Sequence, residues 1–226
     1  MSSLEELQER ITDCQRCERL VEFREKVAAE KRRAYRTWDY WGKPVPSFGD
    51  ALGQLLIVGL APGAHGANRT GRMFTGDSSG DFLYSTLQRF GFCNQPTSTH
   101  RDDGLELKGC YITAALHCVP PSNRPLAEEA SRCRDFLVEE LRLLARVKVV
   151  VALCQIAWDG FLRARRQMGK PAGKPKPRFC HGEEVRLDEC TILLGSYHPS
   201  RQNTQTGRLT RDMFDSIFRR ARELVG

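Results

Sequence analysis

The chain has 226 residues, nine cysteines and a formal net charge of +7. No apolar stretch approaches the roughly 18–20 residues of a membrane span, and no basic segment followed by an apolar run marks a secretory signal. We therefore expect a cytoplasmic protein, or one associated with the nucleoid, that forms a single domain over residues 1–226. In such a reducing compartment the cysteines favour metal ligation over disulfides, and the positive charge favours a polyanionic partner rather than a membrane.

Apolar runs and amphipathic patterns alternate along the chain. In chain order we predict a loop at 42–53, a strand at 55–60, a helix at 81–90, a strand at 110–116, a helix at 126–146, a strand at 147–153, a helix at 155–168, a loop at 169–182, a strand at 191–196 and a helix at 209–224. The strands are almost continuously apolar, which is typical of strands covered on both faces. The alternation predicts an α/β fold with a central, mostly parallel four-stranded sheet.

Unusual sequences follow three of the predicted strands. The first strand continues into a glycine-rich stretch at 59–66, the second into 117–125, and the fourth into 197–200. Ligands of open α/β sheets bind beyond the carboxyl ends of the strands. We therefore expect these three loops to form one pocket, although the glycine-rich stretch taken alone would favour an ordinary strand-to-helix turn.

Four cysteines form a second pattern. Cys14 and Cys17 are two residues apart near the N-terminus, and Cys118 and Cys133 lie far downstream. Two close ligands with two distant ones suit a metal or iron–sulfur site that ties an N-terminal arm to the domain. Four thiolates suit zinc as well as an iron–sulfur cluster, and Cys133 also lies on an apolar helix stripe, as a core cysteine would. The other five cysteines we interpret as structural.

Taken together, these motifs resemble the uracil-DNA glycosylase superfamily, and most closely its iron–sulfur type-B (family 5) branch. The matching pieces are the stretch 59–77, the Pro-Pro-Ser-Asn-Arg-Pro segment at 120–125, the His-Pro-Ser segment at 198–200 and the four cysteines. The resemblance implies a three-layer α/β/α sandwich, a 4Fe–4S cluster on the four cysteines, and a monofunctional enzyme that flips a base out of DNA and hydrolyses its N-glycosidic bond.

Hydrolysis of this bond assigns roles within the expected pocket. The leaving base needs a hydrogen-bond donor for its growing negative charge, and His198 is the candidate. Phe74 is the candidate stacking surface for the flipped base, and the backbone of Gly63, Ala64 and His65 would bind its edge. Alternatively, His198 is a structural histidine at a strand end and Phe74 a core aromatic.

The sequence also differs from other branches of the superfamily. Leu60 stands where the type-A branch has a water-activating glutamate, and Ala114 stands where that branch has a base-reading asparagine. The resemblance to the type-B branch assigns the water-orienting carboxylate to Asp77, with help from Asn123. Asp77 alternatively caps the helix that follows it. Because Ala114 removes an obligatory hydrogen bond to the base, we expect hypoxanthine to be accepted beside uracil.

Several residues near these loops are candidates for contact with DNA. Arg69 and Arg72 follow the glycine-rich stretch, and Arg201 and Arg208 follow His198, so we expect them to contact phosphates. Gln202 is the candidate for a wedge that fills the space of the flipped nucleotide.

Two other classes of protein remain as alternatives. A non-catalytic iron–sulfur or zinc module that binds nucleic acid is kept open by Leu60, which cannot activate water. An iron–sulfur electron-transfer protein is disfavoured because the chain has no flavin or nicotinamide fingerprint. No lysine nucleophile stands at a motif, so no lyase step is expected, and we expect a monomer.

Overall fold

A six-stranded sheet forms the centre of the protein, with strand order β1-β3-β2-β4-β6-β5. The computed structural model describes residues 3–226, so residues 1 and 2 of the expected domain lie outside the described part. The strands are β1 (Phe48–Gly49), β2 (Leu55–Gly59), β3 (Cys110–Ala114), β4 (Val149–Ala152), β5 (Glu184–Arg186) and β6 (Ile192–Gly195). The α-helices are α1 (Leu4–Thr12), α2 (Glu18–Glu30), α3 (Ala67–Thr70), α4 (Ser78–Arg89), α5 (Ala127–Leu143), α6 (Gln155–Gln167), α7 (Arg201–Gln205) and α8 (Arg211–Val225).

The four central strands β3, β2, β4 and β6 are parallel, and every residue in them is buried. Alternate residues of a strand face opposite sides of the sheet. Leu55 and Ile57 accordingly join the apolar cluster that includes α4 and α8, whereas Leu56 and Val58 join the cluster that includes α6. Helices therefore cover both faces, and the predicted three-layer α/β/α sandwich with its mostly parallel sheet is confirmed.

The two edge strands were not predicted. β1 pairs with β3 and β5 pairs with β6, both antiparallel, so the sheet has six strands rather than four. β1 has two residues and β5 has three, and both are partly or fully exposed. Strands this short carry no apolar period that could be recognised in the sequence.

Two N-terminal helices precede the sheet. Leu7 and Ile11 of α1 are fully buried against Phe136 of α5. The Gln8 amide links this helix to the sheet, because it donates to the Tyr111 hydroxyl (3.0 Å) and accepts from the Ser47 backbone N–H (2.8 Å). Among the described residues, no helix has the length and apolar character needed to cross a membrane.

Candidate active site

The loops that follow β2, β3 and β6 leave the sheet at the carboxyl edge of its parallel strands. At the end of β2, the ring of Phe74 lies so close to Gly59 that a Cβ there would be 3.0 Å from two of its ring carbons. Phe74 has a φ of 54°, which is a strained backbone conformation for a bulky residue. The carbonyl oxygen of Phe74 lies so close to Gly80 that a Cβ at position 80 would collide with this oxygen. Close packing of two backbone segments thus holds Phe74 at the pocket.

Asp77 has two roles in this packing. Its Oδ1 caps α4 by accepting from the backbone N–H groups of Ser79 and Gly80, each at 3.0 Å. Its Oδ2 faces the glycine-rich loop: a Cβ at Gly63 would lie 2.9 Å from this oxygen, and one at Gly66 would collide with it. Burial raises the pKa of Asp77 above its ordinary 3.8, while the two capping bonds oppose the rise. The capping alternative is therefore correct for one oxygen, and the other remains directed at the loop.

His198 lies beyond the end of β6 and packs against Phe74. The two rings are stacked, with centroids 5.9 Å apart and planes inclined by 27°. The backbone carbonyl of His198 accepts from the Asn203 amide at 2.8 Å, which holds the segment in place. Burial lowers the pKa of His198 to about 4, so its imidazole is neutral at physiological pH. A neutral imidazole still carries one N–H donor.

The glycine-rich loop presents backbone donors. The Gly63 carbonyl accepts from the N–H groups of Gly66 (3.3 Å) and Asn68 (3.0 Å). Within residues 3–226, the N–H groups of Ala64 and His65 have no protein acceptor. The imidazole of His65 is held by the Tyr40 hydroxyl, 3.1 Å from Nδ1. Two adjacent backbone N–H groups are therefore available at the pocket. The side chain of one of these residues, His65, is held in place by Tyr40.

Asn123 lies on the loop that follows β3. The turn Pro121–Asn123 has two consecutive residues with positive φ, Ser122 at 53° and Asn123 at 56°. The Asn123 side chain is exposed, and its backbone N–H donates to the Pro120 carbonyl at 3.1 Å. The structure therefore places Asn123 at the same edge of the sheet, outside the contacts that join Phe74 and His198.

The predicted phosphate contacts of Arg69 and Arg72 are wrong for this structure. Arg69 is 3% exposed; it donates to the carbonyls of His65 and Gly76, both at 2.8 Å. Arg72 is 7% exposed; it pairs with Asp103 at 2.7 Å and also bonds three other partners. Both guanidinium groups fasten the loop between α3 and α4 to its neighbours, and neither is available to a phosphate.

The segment after His198 is partly helical. Residues Arg201–Gln205 form α7, capped by the Ser200 hydroxyl. Arg201, Gln202 and Arg208 are exposed, and the Arg208 guanidinium lies 4.8 Å from the centre of the Tyr197 ring. These three side chains face solvent next to the pocket.

The four predicted cysteine ligands line one cavity, although they come from distant parts of the chain. Arg16 and Arg132 line the same cavity and lie close to the thiols of Cys14 and Cys17. Burial raises the pKa of Cys118 to about 12. Among residues 3–226 no three His, Cys, Asp or Glu side chains are grouped as ligands of a single metal ion. Four convergent thiols with adjacent arginines nevertheless fit a group that needs thiolate ligands and carries negative charge.

Comparison with known proteins agrees with this geometry. The family model of the uracil DNA glycosylase superfamily matches residues 46–222, which span the sheet and all three loops of the pocket. The chain belongs to the uracil-DNA glycosylase superfamily. The resemblance inferred from the motifs is thereby confirmed.

Individual relatives within the superfamily are similar over nearly the whole chain. The type-5 uracil-DNA glycosylase of Mycobacterium tuberculosis is 49% identical over 225 residues, or 99% of this chain and 82% of the relative. That of Thermus thermophilus is 49% identical over 216 residues, 96% of this chain and 95% of the relative. That of Pyrobaculum aerophilum is 46% identical over 212 residues, 94% of this chain and 89% of the relative.

The sequence analysis did not identify two groups of residues in this superfamily member. Tyr40 contacts the pocket loop through His65, and its signal was the density of aromatic residues at 35–41. Arg19 of α2 forms two hydrogen bonds with the buried Glu129, both at 2.7 Å, and a third with the Arg124 carbonyl at 3.3 Å. Glu129 is far from Arg19 in the sequence, and no local pattern could have paired them.

Proposed function

We propose that this protein is a monofunctional DNA glycosylase that hydrolyses the N-glycosidic bond of uracil, and of other deaminated bases such as hypoxanthine, to leave an abasic site. The observation that carries the proposal is the stack of neutral His198 on Phe74, at a pocket edge where Asp77 Oδ2 faces a glycine loop. Its relatives named type-5 uracil-DNA glycosylases support the same activity.

Binding of the base comes first. The target base leaves the DNA stack and enters the pocket, where Phe74 offers an aromatic face. The free N–H groups of Ala64 and His65 donate to the acceptor atoms at the edge of the base. Gly63 allows this close approach because it adds no side chain at the loop.

The departing base gains negative charge as the bond breaks. His198 donates a hydrogen bond to a carbonyl oxygen of the base, where this charge accumulates. A neutral imidazole suits this role because its N–H is positioned beforehand and no cation has to be desolvated. Removal of one such donor typically costs about 100- to 1000-fold in rate.

The sugar becomes cation-like in the same step. Asp77 Oδ2 is not used in capping, so it is free to orient water toward the anomeric carbon and to stabilise the positive charge. Asn123 assists as the loop after β3 approaches the DNA. A carboxylate held by two backbone donors keeps its direction during the reaction.

Acceptance of hypoxanthine follows from the apolar residue at the end of β3. Ala114 is 1% exposed and offers no side-chain donor or acceptor to a base. No buried polar partner is therefore left unpaired when a purine replaces uracil, so a wrong base loses little binding energy.

The experiment measures single-turnover base release from labelled duplexes that contain one uracil or one hypoxanthine. We expect release of both bases by the native protein, and a rate at least about 100-fold lower for Asp77→Asn and for His198→Ala. Asparagine also caps helices, so Asp77→Asn should keep the thermal stability of the native protein. Binding without release of either base would contradict the proposal and support a non-catalytic DNA-binding module. Release of uracil alone would contradict the broad substrate range.

The cofactor proposal is a 4Fe–4S cluster on Cys14, Cys17, Cys118 and Cys133, with zinc as the alternative. When bound, the cluster supplies covalent cross-links between the N-terminal arm, the loop after β3 and α5, and the hydrolysis needs no electron from it. The raised pKa of Cys118 means that ligation must displace the thiol proton. Arg16 and Arg132 offset the negative charge of the thiolates.

The remaining proposals concern DNA and assembly. Arg201 and Arg208 contact phosphates next to the flipped nucleotide, and Gln202 enters the space that it leaves. The protein acts as a single domain and as a monomer, in the cytoplasm at the nucleoid.

A further inference from the structure

Residues 31–43 combine charge and aromatic character in a way that the pocket does not use. This stretch, the aromatic–basic segment, holds five basic residues, one acidic residue and four aromatic residues, including two of the three tryptophans of the chain. Arg32, Arg33, Arg36 and Lys43 are exposed, and none of them has a carboxylate within ion-pair distance among residues 3–226. Exposed, unpaired cations around aromatic rings are typical of surfaces that bind nucleic acid.

The aromatic side chains fasten this segment to the pocket. The Arg69 guanidinium lies over the rings of both Tyr35 and Trp38, 4.0 Å from each ring centre. The same guanidinium donates to the carbonyl of Gly76, the residue before Asp77. One buried arginine thus connects the segment with the backbone that carries Asp77.

Further bonds fix the other end of the segment. The backbone N–H of Trp41 donates to the Arg69 carbonyl at 2.9 Å, and that of Gly42 donates to the Asn68 carbonyl at 3.0 Å. Tyr40 holds His65 of the glycine-rich loop at 3.1 Å. Arg32 lies close enough to His65 to contribute to the lowering of its pKa. The exposed cations are therefore held at the rim of the pocket on the side of β2, whereas Arg201 and Arg208 lie beyond β6.

We propose that the aromatic–basic segment binds the phosphate backbone of duplex DNA that flanks the flipped nucleotide, with Arg33 and Arg36 as phosphate contacts. The inference rests on the proposed glycosylase function, because a base can enter the pocket only when the duplex lies across its rim. The rim beyond β6 and the rim beside β2 then hold the DNA on the two sides of the extruded nucleotide. The rings of Tyr35 and Trp38 are occupied by Arg69, so this contact depends on charge rather than on stacking of bases.

The test compares two double variants with equal loss of charge. Arg33→Ala with Arg36→Ala changes the segment; Arg146→Ala with Lys148→Ala changes exposed residues before β4, at the opposite edge of the sheet. Fluorescence anisotropy over a salt series gives Kd for a duplex with a 2′-fluoro-substituted deoxyuridine, which resists hydrolysis, and for a lesion-free duplex.

We expect the first variant to bind both duplexes about tenfold more weakly at moderate salt. The slope of log K against log salt should become less negative by roughly 1.8, since each phosphate contact contributes about 0.9. Arg33→Lys with Arg36→Lys should restore both values, because lysine also contacts phosphate as a point charge. The Arg146/Lys148 control should bind as the native protein does.

Equal Kd and salt slope for the native protein and the Arg33/Arg36 variant would overturn the proposal, as would an equal loss in the Arg146/Lys148 control.

Base release at saturating enzyme reports on the proposed function separately. We expect it to be unchanged in the Arg146/Lys148 control, because these side chains lie at the opposite edge of the sheet. If the native protein releases no base, the glycosylase proposal fails while the comparison of the binding slopes still decides the role of the segment.

Discussion

Asp77 caps α4 with one carboxylate oxygen and, in the proposed mechanism, orients water with the other. A capping aspartate is common before a helix, and both oxygens of such a residue usually face the helix or solvent. Here the glycine-rich loop lies so close to Asp77 that a Cβ at Gly63 or Gly66 would meet the second carboxylate oxygen, Oδ2. The two glycines leave room for this oxygen because they have no side chain. The carboxylate is consequently fixed by the backbone on one side and directed at the glycine-rich loop on the other, which is the arrangement that the proposed water-orienting role needs.

His198 leads to a prediction about pH and stability. Its pKa is about 4 in the folded protein, below its ordinary 6.5. The unfolded chain therefore binds more protons between these values, so the contribution of His198 to stability is present above pH 6.5 and is lost as the pH falls toward 4. Between about pH 7 and about pH 5, the native protein should lose roughly 1–2 kcal/mol of unfolding free energy that a His198→Gln variant does not lose.

Denaturant unfolding at the two pH values measures this difference. His100→Gln is the matched control, because His100 is exposed. We expect the control to follow the native protein. If His198→Gln showed the same pH dependence as the native protein, the assignment of a neutral imidazole to His198, on which the proposed mechanism depends, would be wrong.

At the scale of elements, two ion pairs join the N-terminal helices to α5 with similar geometry and different burial. Arg19 binds Glu129 through two bonds of 2.7 Å, and Arg10 binds Glu139 through bonds of 2.7 and 2.8 Å. The Glu129 side chain is 3% exposed, whereas that of Glu139 is 28% exposed. Glu129 also accepts from the Leu126 backbone N–H at 2.7 Å, where α5 begins.

Truncation of the two arginines should therefore have unequal effects. Arg19→Ala leaves a buried carboxylate without its cation and should lower the unfolding free energy by about 1–3 kcal/mol. Arg10→Ala exposes Glu139 to water and should cost less than about 1 kcal/mol. Thermal unfolding measures both. Equal losses would show that burial does not determine the strength of these links.

At the scale of the whole molecule, the four cysteines that line one cavity come from the N-terminal arm and from the sandwich. Cys14 and Cys17 flank the turn between α1 and α2, while Cys118 follows β3 and Cys133 lies in α5. A group bound to all four would close the arm against the loop that carries Asn123. Its contribution would be large because it restricts the unfolded chain over more than a hundred residues of sequence.

Loss of a ligand tests this connection. Cys17→Ser should abolish the iron and sulfide content, expected at about four atoms of each per native chain, and lower Tm. Cys190→Ser is the control, since Cys190 is exposed and does not line the cavity of the four thiols. Zinc in place of iron in the native protein, or full iron content in Cys17→Ser, would contradict the cluster proposal.

The sequence by itself determined the sandwich and the edge of the sheet at which the three loops lie. Runs such as 147–153 are apolar enough to predict strands buried on both faces, and three loops with unusual sequences follow them at one edge. The helices of the sandwich were predicted to within a few residues at each end, because their apolar stripes are long. The short helices α3 and α7 and the edge strands β1 and β5 were missed, since a few residues show no period. No range was predicted for α1 and α2 either, although they have nine and thirteen residues.

Tertiary structure alone decided which charged groups face solvent. Arg69 and Arg72 occur in a stretch of sequence rich in polar residues, as phosphate contacts do, and yet both are buried with internal partners. Tyr40 reaches His65 through a contact between segments that are separate in sequence, and Arg33 and Arg36 of the aromatic–basic segment remain exposed. The physical reason is that local patterns fix the backbone period and the apolar face, whereas the partner of a long polar side chain depends on which segment folds against it.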